Sequence, residues 1–212
     1  TPGLTDTVSV HYHGTFEEYF GSKKRLFEGL KQGTKQGGAV INIDDRFGRR
    51  LASETDAEVK LTYGLSEAAT LRASQIELGT DSTAMVVQTP QFQFPCRLPL
   101  IGRHNVYNAL ATVGAGIVLN VGPHALRAAL NTVEPVSGRL ENVSSGHPFS
   151  VYVDYAHTDD ALQSVLSTLR EITSKRILLA FGCGGGRDSG KRYQMGRTAA
   201  QRADFTLITT DN

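Results

Sequence analysis

Apolar residues recur at helical spacing from Thr15 onward. Phe16, Tyr19, Phe20, Phe27 and Leu30 fall on one stripe, which predicts a helix running to about Lys31. Thr15 is its natural N-cap, with Glu18 three residues on to complete a capping box. Residues 1–14 read as loop. Ala39–Ile43 is a short apolar run of the kind a buried strand shows, Phe47–Ser53 reads as a short helix, and Val59–Tyr63 as another strand. Between Leu71 and Leu98 the period drops to two, in Gln75-Ile76-Glu77-Leu78, Met85-Val86-Val87 and Gln91-Phe92-Gln93-Phe94. Such alternation predicts a small antiparallel group with one face inward.

Asn105–Asn120 is rich in Ala and Val and predicts a helix, and Gly122-Pro123 starts another that reaches about Leu130. Residues 131–138, NTVEPVSG, carry breakers and form a candidate linker. Beyond it the order becomes strand, helix, strand, helix, strand: Ser150–Asp154, Asp159–Thr173, Arg176–Phe181, Ser189–Ala203 and Phe205–Thr209. Apolar runs alternating with amphipathic helices imply a parallel sheet with right-handed crossovers. Ligands collect at the carboxyl ends of such strands, where Asp154–His157 and Gly182–Arg187 fall.

Composition narrows the picture. Lys and Arg total 22 against 21 acids, so no charge excess points to nucleic acid or a membrane surface. No apolar run approaches the ~18 residues of a spanning helix, and no charged-then-apolar leader is present. A cytoplasmic protein without membrane insertion is expected. Cys96 and Cys183 stand far apart in no metal-ligand pattern and are expected to be reduced thiols. Thr1 is not an initiator methionine and Asn212 follows directly on a strand-like run, so a piece of a longer protein is expected.

Several residues are candidates for chemistry. Lys23 lies seven after Phe16 and four before Phe27, on the apolar stripe; it is either a lysine snorkelling at the stripe edge or one held at a site. Lys24 and Arg25 read as ordinary solvent-facing cations. Asn105 and Asn108 are one turn apart, so both amides can face one polar ligand such as a purine, or Asn105 simply caps its helix. Arg139, just past the linker, can reach an anion or make a surface ion pair. Asp154 ends a strand and can hold a ribose diol; His157 can touch a phosphate or cap the next helix. In FGCGGGRDSGKR at 181–192, Gly185, Gly190 and Lys191 have P-loop spacing, but Arg192 stands where Ser or Thr should ligate Mg²⁺. Arg187, Lys191 and Arg192 after four glycines still favour an anion, with a simple tight turn as the alternative.

In order, these stretches resemble the Mur ligase family of peptidoglycan synthesis: Tyr12-His13-Gly14, YFGSKKRLF at 19–27, GRHNVYNALA at 102–111, GRLENV at 138–143, VDYAHTDDAL at 153–162, FGCGGGRDSGKR, MGRTAAQRAD at 195–204 and TTDN at 209–212. The resemblance implies an α/β chain holding the back part of the family's central ATPase domain, residues 1–135, and the first part of its Rossmann-like C-terminal domain, residues 136–212. It implies an ATP- and Mg²⁺-dependent ligase that adds meso-diaminopimelate, less readily lysine, to UDP-MurNAc-L-Ala-D-Glu. Lys23 then matches a lysine carried as a Mg²⁺-binding carbamate. Asn105 and Asn108 match residues near adenine, Arg139 a phosphate-side arginine, Asp154 a ribose-binding aspartate and His157 a histidine of the same nucleotide site. Arg187, with Asp211 and Asn212, matches residues that hold the incoming amino acid, so the P-loop likeness is a decoy.

The chain also departs from the family. Ser9 occupies the place of a metal-linked histidine, with His11 two residues along, and the true P-loop and sugar-binding domain are not in the sequence. Gly186, Tyr193 and Asp159 replace an Asp and two Pro residues. The chain by itself is therefore expected not to turn over, and its central sheet to expose an edge. A non-catalytic remnant that keeps the fold for binding is the alternative, and folylpolyglutamate synthases share the fold.

Overall fold

The structure is a computed structural model that describes residues 15–31, 37–144, 146–184 and 189–211. The chain divides into two compact units, one of residues up to Glu77 with Ser82–Glu134, the other of Leu78–Asp81 with Pro135 onward. The loop expected over residues 1–14 lies outside the described residues.

In the first unit, helix α1 (Phe16–Glu28) begins on Thr15, whose hydroxyl accepts the Glu18 N–H at 3.2 Å, and a 3₁₀ turn over Gly29–Lys31 follows. Strands β1 (Gly38–Asn42), β2 (Val59–Gly64), β3 (Leu71–Leu78), β4 (Thr83–Gln88) and β5 (Gln93–Leu98) form one sheet in that order, and β1 lies at its edge among the described residues. The β4–β5 pair is antiparallel, as the alternation predicts, whereas β3 joins β2 in parallel through Tyr63↔Leu71 and Gly64↔Arg72. The sheet is therefore mixed. Period-two patterning reports that one face is buried; it favours antiparallel pairing but does not fix the direction of any one strand.

Helices α3 (Arg103–Val118) and α4 (Pro123–Thr132) pack on this sheet, α4 with Pro123 in its first turn as the sequence predicts. The core gathers Leu71, Val87, Leu98, Val106, Leu110 and Val113, all nearly inaccessible to solvent. Burying side chains of this size stabilises by roughly 1.5–3 kcal/mol each.

Helix α2 (Arg46–Glu54) holds α1 by a mixed contact. Phe20, buried, meets Phe47 with ring centroids 5.8 Å apart, and the Arg50 guanidinium lies 4.4 Å over the Phe20 ring. Arg50 also donates to Glu17 at 2.7 Å and to Glu54 at 2.8 Å, and Glu54 receives Lys24 at 2.8 Å. Lys24 also lies 3.7 Å from Glu28. It is thus not the free surface cation its position suggests, because a helix 30 residues downstream in sequence brings a carboxylate to it. Lys24 and then Arg50 hold the Glu54 carboxyl below its ordinary value.

This gives a pH prediction with a definite sign. A carboxyl whose folded pKa is depressed stabilises fully above its unfolded pKa of about 4.3 and loses that stabilisation as pH falls through the folded value. Glu141 and Asp204 are depressed in the same direction by their own hydrogen bonds. Thermal melts should fall as the pH drops below about 4.3, and Glu54→Gln should melt lower at neutral pH with a shallower acid loss. An acid loss as steep in Glu54→Gln as in wild type would remove Glu54 from the account.

In the second unit, β6 (Glu141–Asn142) and β7 (Tyr152–Val153) pair antiparallel. Strand β8 (Leu178–Gly184) and β9 (Phe205–Asp211) pair in parallel from Leu178↔Phe205 to Gly184↔Asp211. Helices α5 (Asp159–Ile172) and α6 (Ser189–Arg202) complete the strand–helix order. Leu162, Leu166, Ile177 and Met195 form the core here. The expected three-strand parallel sheet is corrected to a two-strand one among the described residues. The run at Ser150–Asp154 shortens to two strand residues whose ladder goes to β6. The Thr80 carbonyl, in the part of the second unit that precedes Ser82, accepts from Asn142 Nδ2 at 3.2 Å and the Tyr152 hydroxyl at 2.8 Å. Asp204 joins Arg170 and the Ile177 N–H, both at 2.7 Å. Both cysteines are free thiols, as expected, and burial pushes the Cys96 thiol up to about 11. No helix among the described residues is long and apolar enough to cross a membrane.

Candidate functional site

Several polar bonds gather at the carboxyl end of β1. Asp45 caps α2, its Oδ1 accepting from Phe47 N at 2.7 Å and Gly48 N at 2.9 Å. Asp44 turns the other way. Its Oδ2 accepts from Leu65 N at 2.6 Å and from the Tyr107 hydroxyl at 2.8 Å, and its Oδ1 from Ser66 N at 3.2 Å. One half-buried carboxylate thus ties the ends of β1 and β2 to the first turns of α3. Burial, then the bond to Asp44, pushes the Tyr107 phenol up to about 12. The one signal for this hub in the sequence is Asn42-Ile43-Asp44-Asp45 at the end of a strand run, where two adjacent carboxylates have no helical or alternating pattern to mark them.

Asn105 is not the cap of α3. That place is held by Gly102 at φ 92°, and the Asn105 amide instead donates back to Ile101 O at 2.9 Å. Asn108 Nδ2 donates to Asn105 Oδ1 at 3.1 Å, so the two amides do share one face, as their spacing predicts. Tyr107, the Asp44 partner, sits between them in sequence.

Lys23 is exposed on α1, with its ammonium 5.4 Å from the Tyr19 ring centroid. The stripe it shares is itself only partly covered: Phe20 is its one buried side chain, and Phe16 is 38% exposed. Among the described residues no three His, Cys, Asp or Glu side chains gather as a metal cage. Ser9 and His11 lie outside the described residues.

In the second unit, Asp154 follows β7 and both its oxygens are engaged: Oδ2 accepts from Leu140 N and Oδ1 from Ala156 N, each at 2.8 Å. Each oxygen keeps a further lone pair for a ligand hydroxyl. Arg139 stands beside it in a turn, with its guanidinium 5.5 Å over the Tyr155 ring. The Tyr155 ring meets His157 edge-on, centroids 5.0 Å apart. His157 does not cap α5; Thr158 does, accepting from Ala161 N at 3.2 Å. The structure therefore brings Asp154, Arg139 and His157 together around one tyrosine. Lys191 Nζ donates to the His157 carbonyl at 3.3 Å. Arg187, Asn212 and the side chain of Asp211 lie outside the described residues, although Asp211 closes β9 opposite Gly184.

A shallow depression of about 580 Å³ on the first unit is lined by Gln75, Glu77, Cys96, Arg97, Arg127 and Asn131 among others. None of the candidate residues among those described borders it. Concavity alone does not mark the chemistry here.

Both units keep their polar groups at strand ends, the arrangement of α/β ligand-binding proteins. The chain belongs to the Mur ligase family: residues 8–116 match the Mur ligase middle domain, and residues 138–212 match the Mur ligase, glutamate ligase domain. It is 45% identical over 206 residues to the UDP-N-acetylmuramoyl-L-alanyl-D-glutamate--2,6-diaminopimelate ligase of Geobacter metallireducens, covering 96% of this chain and 40% of that protein. The enzyme of the same name from Bacillus velezensis is 38% identical over 206 residues, covering 96% of this chain and 42% of that protein. A solved structure of a ligase of that name superposes with a TM-score of 0.68 at 32% identity, over 95% of this chain and 41% of that one. The folylpolyglutamate synthase of Thermotoga maritima, at 15% identity and a TM-score of 0.67 over 88% of this chain and 44% of that one, shares the fold. The chain spans about 40% of the length of the curated relatives it matches.

Proposed function

We propose that this chain forms part of a cytoplasmic, ATP-dependent amide-forming ligase of peptidoglycan synthesis, which joins meso-diaminopimelate, less readily lysine, to UDP-MurNAc-L-Ala-D-Glu. The observation that carries this reading is likeness across 96% of the chain to enzymes named for that reaction. The cluster of Asp154, Arg139 and His157 supports it, since a carboxylate, a guanidinium and an imidazole on one turn suit a ribose and its phosphates. On this reading the first unit is the back part of the central domain and the second unit the front part of the C-terminal domain.

The chemistry runs in two steps. An oxygen of the D-Glu carboxylate attacks the γ-phosphorus of ATP, and ADP leaves, giving an acyl phosphate. The amine of the incoming amino acid then attacks the acyl carbon, phosphate departs, and the nitrogen gives up a proton to leave the amide. Arg139 and His157 stabilise phosphate charge. Asp154 holds the ribose diol, and Asn105 and Asn108 face the adenine. Arg187, Asp211 and Asn212 hold the amino acid. Lys23, carried as a carbamate, would present an anion in place of a cation and could hold Mg²⁺, whose charge would offset that of the phosphates when bound.

The test is a chimera in which the upstream part of the Geobacter metallireducens ligase and its residues after the match enclose this chain. Phosphate release should require both UDP-MurNAc-L-Ala-D-Glu and meso-diaminopimelate. Release that is equal with lysine would overturn the amino-acid assignment. No release from a folded chimera, beside an active parent, would overturn the ligase reading and leave a binding remnant.

A further inference from the structure

The turn that carries Arg139 is held in a conformation its own residues disfavour. Gly138 lies at φ 70° and Leu140 at φ 45°, so the backbone is left-handed on both sides of Arg139. Glycine adopts that region freely, but Leu140 has a bulky side chain, and it is 6% exposed and so packed in place. A buried leucine in this region persists only where its surroundings over-determine it.

The surroundings do so through three carboxylate or carbonyl anchors. Glu141 Oε2 accepts from the Ser137 hydroxyl and from Gly138 N, both at 2.8 Å. The Gly138 carbonyl accepts from Tyr155 N at 2.7 Å. Asp154 Oδ2 accepts from the N–H of the strained residue itself, Leu140, while Oδ1 holds Ala156 N on the strand side. The first anchor ties the turn to Glu141 of β6, which itself pairs with Val153, and the other two fasten it to the residues at the end of β7. The Asp154 side chain spans from the turn to the residues after β7, with one oxygen accepting from Leu140 N and the other from Ala156 N. The Arg139 side chain, launched from between these anchors, comes to rest over the ring of Tyr155, the residue that follows Asp154.

We propose that Asp154 is a positioning residue for Arg139: its carboxylate latches the Gly138–Leu140 turn to the end of β7 and so sets where the guanidinium stands. This goes beyond a ribose contact, and its link to catalysis rests on the nucleotide reading of Arg139. A carboxylate suits the task because it offers an acceptor to each of two N–H groups. An amide of the same shape offers one acceptor and sets its NH₂ against the other N–H.

The latch and a simple charge effect predict opposite signs for anion binding. Removing a negative charge next to an arginine should tighten an anion; losing the latch should weaken it. Inorganic pyrophosphate is the probe, since it has no ribose for Asp154 to touch. With the 212-residue chain, Asp154→Asn should bind pyrophosphate about tenfold more weakly, and Arg139→Ala should bind it no better. The double variant should be no weaker than Arg139→Ala. In parallel, the Leu140 amide should be protected from exchange in wild type and Arg139→Ala and exchange about tenfold faster in Asp154→Asn. Asp154→Ala, which removes both acceptors, should show a larger loss of protection; if it does not fold, Asp154→Asn decides. Unchanged Leu140 protection in Asp154→Asn, or tighter pyrophosphate binding by it, would overturn the proposal. If wild type binds no pyrophosphate, the phosphate role of Arg139 fails, and the exchange result alone decides the latch.

Discussion

Gly48→Ala is expected to lower the melting temperature of the first unit by about 10 °C, a loss of about 3 kcal/mol. A Cβ at this position would overlap the Asn42 carbonyl oxygen and stand 3.2 Å from Asp45 Oδ2. Neither neighbour can yield cheaply. Asn42 is the last residue of β1, paired with Tyr63, so its carbonyl moves only with the strand. The Asp45 carboxylate is committed to capping α2, partly through the Gly48 N–H itself. Moving α2 would also disturb the contact of Phe47 with Phe20 and the Arg50 bonds that hold α1. Gly21→Ala supplies the contrast within the same unit. It lies inside α1 with open space around its Cβ position, so alanine should stabilise by about 0.5–1 kcal/mol. Equal melting temperatures for the two variants would show that the close approach at Gly48 is relieved at little cost.

Lys23→Ala should separate activity from stability. Lys23 is exposed and its described contact is with the Tyr19 ring, so the variant should lie within about 0.5 kcal/mol of wild type. In the active chimera, ligase turnover should nevertheless fall about 100-fold or more, the scale seen when a group that stabilises transition-state charge is removed. The proposed modification adds a control. A neutral lysine amine attacks the carbon of CO₂ and loses a proton, leaving an N-carboxylate, so wild-type turnover should drop in CO₂-depleted buffer and return with bicarbonate. Lys23→Ala should ignore both changes. Full activity in Lys23→Ala would mean that the residue only snorkels at the edge of its stripe. The Glu17–Arg50–Glu54–Lys24 chain ties α1, the helix that carries Lys23, to α2.

What the sequence disclosed was local, and what it hid was long-range. The cap at Thr15, the proline opening α4 and the shared face of Asn105 and Asn108 all follow from spacings of a few residues. Strand direction does not: Leu71 begins a strand whose alternation looks antiparallel, yet its partner Tyr63 runs parallel. Lys24 reads as a surface cation until Glu54 arrives from another helix. Asp44 and Tyr107 are 63 residues apart, and neither has a local pattern that announces the other. In the second unit Arg139, Asp154 and His157 were each legible from their motifs. Their common element, Tyr155, was not singled out, and the left-handed leucine at 140 has no signature that a single sequence displays.

The four residues Leu78–Asp81 have a consequence for how such chains exchange parts during evolution. They run from the last residue of β3 toward β4, yet they belong to the second unit, where the Thr80 carbonyl serves Asn142 and Tyr152. The covalent chain therefore passes between units three times, at Glu77–Leu78, Asp81–Ser82 and Glu134–Pro135. A recombination event at the linker alone would deliver a new second unit without its own four-residue piece. Swaps between related ligases should survive when the incoming sequence tolerates the resident tip, or when those four positions travel with it.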